Sequence, residues 1–312
     1  MKIKLTCLLV LQSLFLWGQK AETWTVKLPQ GVLQGTLLRA DSLKPGPVVL
    51  IIPGSGPTDR NGNNPMAHNN SLKMLADSLA AHNISSLRID KRGIGQSHLK
   101  NFNERNLVFD DFVNDAVLWI NKLKSSSYFT KIIIAGHSQG ALTGLLAACK
   151  TKPDAYISLN GAGYPIDYIL KNQLSTLVPP VKKQAYQIID SLKTGKKTAQ
   201  VTGPLYMLFR PSVQGFLSSW MAYDPGKILA ACKFPALIIQ GDTDLQITLD
   251  NALRLKKFQP KAKLIIIKGM NHILKPAPKE QIPNLKTYNE PNLQLHPQLV
   301  PALVRFIKNI NY

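Results

Sequence analysis

The segment Lys131-Ile-Ile-Ile-Ala-Gly-His-Ser-Gln-Gly140 limits the folds open to this chain more than any other. A short aliphatic run followed at once by a Gly-x-Ser-x-Gly turn reads as a buried strand that reverses sharply into a helix. Gly136 and Gly140 carry no side chain, so strand and helix can close around the turn, with the Ser138 hydroxyl projecting away from the sheet. Ala141-Leu-Thr-Gly-Leu-Leu-Ala-Ala148 continues as a buried helix with small residues where it crosses the sheet. The backbone N–H of Gln139 at its N-terminus is offered to negative charge developing on an attacked carbonyl. The simpler alternative is a glycine-rich turn with an ordinary N-capping serine. A nucleophile needs partners, and these must be found elsewhere in the chain.

Phe234-Pro-Ala-Leu-Ile-Ile-Gln-Gly241 is a second buried-strand pattern, with Asp242-Thr-Asp244 just beyond it. A third, Lys263-Leu-Ile-Ile-Ile-Lys268, is followed by Gly269-Met-Asn-His272. Both segments fall past the carboxyl end of a strand, the rim on which open α/β sheets build their sites. Their order, serine then acid then histidine, suits a base at His272 that takes the Ser138 proton while a carboxylate holds its other N–H. Asp242 and Asp244 both qualify as the acid; Asp244 is preferred because it lies further out over the site, the other capping the loop. Asp250, just before the helical pattern Asn251–Lys257, reads as an N-cap. His68 and His98 precede Ser138, His82 falls in a helical pattern and His137 lies inside the turn, which leaves His296 as the competing base. A second oxyanion donor is expected after the strand Val48–Ile52, in the loop Pro53-Gly-Ser-Gly-Pro57, at the N–H of Ser55.

These residues together resemble the α/β-hydrolase superfamily, and more narrowly the bacterial serine esterases grouped with serine aminopeptidase-like (S33-type) hydrolases. Gly54-Ser-Gly-Pro-Thr-Asp-Arg-Asn-Gly62 is similar to the oxyanion loop of one esterase branch, which carries a Gly-Ser-Gly-Pro…Asp-Arg signature. Asp90-Lys-Arg-Gly-Ile-Gly-Gln-Ser97 resembles the superfamily's Arg-Gly-x-Gly-x-Ser turn, and Gly241-x-x-Asp244 and Asn271-His272 resemble its acid and base segments. Pro53 departs from the pattern, standing where many relatives have histidine. The resemblance runs from about Thr23 to the C-terminus. It implies catalytic Ser138, Asp244 and His272, with backbone donors at Ser55 and Gln139. The implied reaction is cleavage of carboxylic esters through an acyl-enzyme. Peptide or amide cleavage on the same triad is the alternative, disfavoured because an insertion with only Asp167, Asp190 and Asp224 has few carboxylates for a free amino terminus. A non-catalytic ligand-binding protein of the same fold is a third reading, and the intact triad argues against it.

The expected fold is thus α/β, an α/β-hydrolase domain over 23–312 with a mostly parallel central sheet flanked by helices. An N-terminal antiparallel hairpin joins Trp24–Leu28 to Val32–Leu38, and a helical cap insertion spans about 164–232. Tyr206, Met207, Phe209, Phe216, Trp220 and Met221 of that insertion either line an acyl pocket or pack it onto the core. Met1–Lys4 is basic and Leu5–Trp17 apolar but short for a membrane span, so residues 1–18 read as a signal peptide and the protein as exported to the periplasm or beyond; a retained N-terminal anchor is the alternative. The remaining cysteines, Cys149 and Cys232, read as two buried free thiols, with one disulfide between them in an exported protein as the alternative. No Cys/His spacing suggests a metal, and no cofactor is expected. The net charge of +20 comes from scattered lysines and arginines, without a nucleic-acid motif. It suits peripheral association with an anionic envelope surface. The expected partner is a small-molecule ester, with no obligate protein partner.

Overall fold

The computed structural model describes residues 21–41, 44–201 and 203–310; the signal-peptide reading of 1–18 lies outside them. The chain opens with β1 (Ala21–Leu28) and β2 (Gly31–Leu38), an antiparallel hairpin in which Leu28 faces Gly31. From there strands and helices alternate: β3 (Gly46–Ile52), α1 (Ser71–Ala80), β4 (Ser85–Ile89), α2 (Phe109–Lys124), β5 (Phe129–His137), α3 (Gln139–Thr151) and β6 (Ala155–Leu159). An all-helical stretch follows, made of α4 (Ile166–Gln173), α5 (Pro179–Lys193), α6 (Tyr206–Phe209), α7 (Gln214–Trp220) and α8 (Pro225–Ala231). The chain then returns to the sheet as β7 (Ala236–Gly241), α9 (Leu249–Phe258) and β8 (Lys263–Ile267), and ends with α10 (Gln281–Lys286) and α11 (Leu299–Lys308).

The eight strands lie in the order β1-β2-β4-β3-β5-β6-β7-β8, with β3 to β8 mutually parallel and β2 antiparallel to β4. Both faces of the parallel part are covered, which is why its strands read as continuous aliphatic runs rather than alternating ones. Val48, Leu50 and Ile52 of β3 join Ile132 and Ile134 of β5 in a cluster under Phe109, Val113 and Trp119 of α2. The intervening Val49, Ile51, Ile133 and Ala135 face the other way, toward Leu72 and Leu75 of α1 and Leu303 and Phe306 of α11. β4 and β5 lie on opposite sides of β3, so chain direction across the sheet reverses there. The crevice at such a reversal, beyond the carboxyl ends of β3 and β5, is where an open α/β sheet leaves room for a ligand.

The helical stretch between β6 and β7 settles the question of its aromatics. Phe109 of α2 stacks on Trp220 with ring centroids 5.4 Å apart and meets Phe216 and Tyr223 at 5.9 and 5.6 Å. Phe209 and Met221 are buried in the same cluster, whereas Tyr206 and Met207 are exposed by 49% and 73%. Phe216 and Trp220 therefore pack the insertion onto α2, Phe209 and Met221 are buried in the core cluster beneath it, and Tyr206 and Met207 face outward.

Two expectations are corrected. Cys149, near the end of α3, and Cys232, just after α8, are not free thiols but a disulfide; the packing of α8 on α3 brings their Cα atoms to 6.1 Å, within bridging distance. Asp250 does not cap α9: Thr248 is the N-cap, and Asp250 sits inside the first turn, accepting from the Thr248 hydroxyl. Among the described residues no helix is long and apolar enough to cross a membrane.

Candidate active site

β5 ends at His137 and α3 begins at Gln139, leaving Ser138 alone at the turn with φ 53° and ψ −119°. A non-glycine residue in this region stores about 1–3 kcal/mol of strain and persists only where its surroundings hold it. Here they do. The Ser138 N–H donates to Leu159 O at 3.0 Å, and its carbonyl accepts from the Ala141 N–H at 3.0 Å. The turn is too crowded for side chains beside it: a Cβ at Gly136 would lie 2.1 Å from Gly140 O, and one at Gly140 2.3 Å from Ile52 O. The Ser138 side chain makes no capping bond to α3, so it does not act as an ordinary N-cap.

His272 lies in the loop after β8, buried, with Nδ1 2.7 Å from Asp244 Oδ2. Asp244 is itself fixed, its Oδ1 accepting the N–H groups of Gln246 and Ile247 at 2.8 and 2.9 Å. Asp242 does something different: its Oδ1 accepts the Gly269 N–H at 2.6 Å and closes the loop. His296 stays apart, with Nδ1 accepting from the Gln298 N–H.

Two residues that hold His272 were not legible as site residues in the sequence. The His137 ring nitrogen Nε2 lies 2.7 Å from the His272 carbonyl, and since a carbonyl only accepts, that nitrogen carries the proton. Burial, and then the neighbouring His272, push His137 down to about 4, so its ring stays neutral. Asn160 follows β6 at positive φ (47°) and is fully buried. Its Nδ2 donates to the carbonyls of Asn271 and His272 at 2.9 and 3.0 Å, while Oδ1 accepts the Gly241 N–H at 2.9 Å. The only sequence signal for Asn160 was an Asn directly after a buried strand, a residue type that tolerates this backbone region.

The loop after β3 lies against the turn: a Cβ at Gly54 would sit 3.3 Å from Ser138 Cβ and 3.2 Å from His137 Nδ1. Ser55 beside it is exposed, and Gln139, as the first residue of α3, has an N–H without an intrahelical acceptor. The loop is anchored from β4. Arg60 grips Asp90 through Nη2 and Nε at 2.6 and 3.0 Å, and the Arg60 N–H reaches Asp90 Oδ1 at 2.8 Å. Lys91 Nζ donates to Gly54 O and Gly56 O, each at 2.5 Å. Among the described residues no group of three or more His, Cys, Asp or Glu is placed to hold a metal ion.

The sequence profile of the family described as serine aminopeptidase, S33, matches residues 66–283, well over half of the chain. The chain belongs to that family. It is 23% identical over 238 residues to esterase EstD of Thermotoga maritima, a match that covers 74% of this chain and 55% of that one. The chain thus spans about half the length of that curated relative. Among solved structures it is similar to Est1E from Butyrivibrio proteoclasticus with ferulic acid bound (TM-score 0.61, 18% identity, 91% of this chain and 99% of that one). It is also similar to the Pyrococcus furiosus esterase Pf2001 (TM-score 0.58, 15% identity, 93% and 90%). At these identities the structural likeness establishes a shared α/β-hydrolase fold, whose central sheet, antiparallel N-terminal hairpin and flanking helices are those described above.

Proposed function

We propose that the protein is a serine hydrolase that cleaves carboxylic esters, with Ser138 as nucleophile, His272 as base and Asp244 as the acid. The observation that carries this reading is the His272–Asp244 contact at 2.7 Å, taken with a serine held at positive φ in the turn between β5 and α3. With Nδ1 engaged by the carboxylate, Nε2 is the nitrogen left to take a proton. Ser138 Oγ attacks the acyl carbon while its proton passes to His272. The N–H groups of Ser55 and Gln139 receive the negative charge on the acyl oxygen. Collapse of the tetrahedral intermediate expels the alcohol, which takes the proton from His272. Water, activated by the same imidazole, then frees the acid and restores Ser138.

The family's description points to a peptidase as the second reading, and the charges of the insertion weigh against it. Each acidic group the insertion could offer an amino terminus is already paired: Asp167 with Lys193, Asp190 with Lys171 at 2.5 Å, and Asp224 with Arg254 at 2.7 Å. Hydrolysis of a p-nitrophenyl ester series of increasing acyl length, beside aminoacyl p-nitroanilides, separates the two. Ester turnover abolished by Ser138→Ala is expected; faster cleavage of the anilides moves the reading to a peptidase. A folded protein that fluorophosphonates do not label would instead be a non-catalytic ligand binder.

The proposal includes export, after loss of residues 1–18. The Cys149–Cys232 disulfide supports it, since such bonds persist mainly in oxidising compartments. The intact mass of protein recovered from the cell envelope and the medium tests it: a chain retaining residues 1–18 in the cytosolic fraction would refute it.

A further inference from the structure

Lys91 takes no part in the scheme above, yet it is buried at the end of β4, only 6% exposed, where an ammonium is costly to keep. The nearest carboxylates are engaged elsewhere. Asp90 is held by Arg60, and Asp115 of α2 is paired with Arg92 through contacts of 2.5 and 2.8 Å. The Phe112 ring centroid stands 5.6 Å from Nζ. The hydrogen-bond partners of Nζ are therefore two carbonyls of one loop, those of Gly54 and Gly56.

The position of those carbonyls gives the contact its meaning. Gly54 O and the Ser55 N–H belong to the same peptide unit. In a planar trans peptide the two bonds point in opposite directions, so fixing the carbonyl from behind fixes the aim of the N–H in front. A cation on the oxygen also draws electron density through the amide and makes the N–H a stronger donor, as in any hydrogen-bonded chain inside a low-dielectric site. Gly54 lies against Ser138, which sets the Gly54–Ser55 peptide beside the turn.

We infer that Lys91 is a positioning residue for the oxyanion hole, aiming and polarising the Ser55 N–H through the Gly54 carbonyl. The inference rests on the acyl-transfer reading. It makes two demands. Loss of the ammonium should weaken binding of the transition state more than of the substrate. The contribution should also follow the charge of Lys91, which burial pushes down to about 7. The charged and titratable groups around it are Asp90 and Arg92, which flank it just past the end of β4, Arg60 from the loop after β3, Asp115 from α2, whose carboxyl burial pushes up, and the neutral His137 beside Gly54.

The test compares wild type, Lys91→Met and Lys91→Arg on a p-nitrophenyl ester across pH, with affinity for a trifluoromethyl ketone that forms the oxyanion on Ser138. Removing a whole oxyanion donor lowers kcat by about 10²–10³, so weakening one should cost roughly tenfold to a hundredfold. Lys91→Met is expected to lower kcat by that factor, hold KM within about twofold and lose ketone affinity in proportion. A fall confined to KM, or ketone affinity unchanged while kcat drops, overturns the proposal. Should Lys91→Met fail to fold, Lys91→Arg decides: it keeps its charge and should hold kcat at pH values where the wild type declines. An arginine variant with the wild-type decline refutes the inference. Failure of the underlying reading looks different, because Ser138→Ala would then keep turning over and fluorophosphonate would leave wild-type Ser138 unlabelled.

Discussion

Breaking the Cys149–Cys232 bond gives the sharpest quantitative expectation. The two residues are 83 apart in sequence, so the bond closes a loop containing β6 and the whole helical insertion. In the chain-entropy account, cross-linking a loop of this size removes freedom from the unfolded chain worth about 4.5 kcal/mol at 25 °C. For the described residues, about 290, an unfolding entropy near 2.1 cal/mol/K each makes this about a 7 °C fall in Tm. Two perturbations should agree: reduction of the wild type by dithiothreitol, which changes no atom of the packing beyond the bond, and the variant Cys149→Ala/Cys232→Ala. Calorimetry gives the shift, and guanidinium unfolding at 25 °C gives the free energy where heating is irreversible. A fall below about 2 °C in both would refute the reasoning, since it would mean that the closed loop is already restricted in the unfolded chain. A large fall in the alanine variant with none on reduction would assign the loss to packing around Cys232, which is buried.

Three further outcomes are expected. Asp244→Asn should fold normally yet lower kcat by about 10³–10⁴, because the amide favours the wrong imidazole tautomer; steady-state kinetics showing less than a tenfold loss would remove Asp244 from its role. Gly140→Ala should destabilise by about 1–3 kcal/mol and depress activity, since the new Cβ meets the backbone oxygens of Ile52 and Pro53 at 2.3 and 2.6 Å; urea titration and ester turnover check both. For His137 the folded pKa, about 4, lies below the unfolded 6.5, so between these values the unfolded chain binds more protons. Stability should therefore fall as pH drops from about 6.5 to 4, by about 3 kcal/mol from this residue, and His137→Gln should flatten that slope in urea titrations at stepped pH.

Much of this architecture could be read in the sequence because both its signals are local. The aliphatic runs Val48–Ile52 and Ile132–Ala135 declare doubly covered strands, and the glycines around Ser138 declare a turn that only glycine can flank. Asp242 and Asp244 show where local reading stops. Both stand at the same strand end, and only the fold of the next loop decides that one meets Gly269 and the other His272. The disulfide is hidden for a similar reason, since its pairing depends on how α8 crosses α3. Phe216 and Trp220 carried no sign of direction until Phe109 of α2 was set against them. Asn160 and Lys91 act on backbone carbonyls, and a backbone acceptor leaves no mark in a residue pattern.

The strand order leaves β8 with a neighbour on one side only, and its Leu264-Ile-Ile-Ile267 is the sort of short aliphatic ribbon that joins other chains. Ile266 is 38% exposed. Exposed lysines at 261, 263 and 268 bracket it, so two such edges approaching each other bring like charges together before any backbone pairing can form. The lysines at this edge are then expected to keep copies of the chain apart, independently of any ligand. That protection is electrostatic and fades within about 10 Å at 0.1 M salt, so refolding yield should decline as ionic strength rises, and more steeply once Lys263 and Lys268 are neutralised.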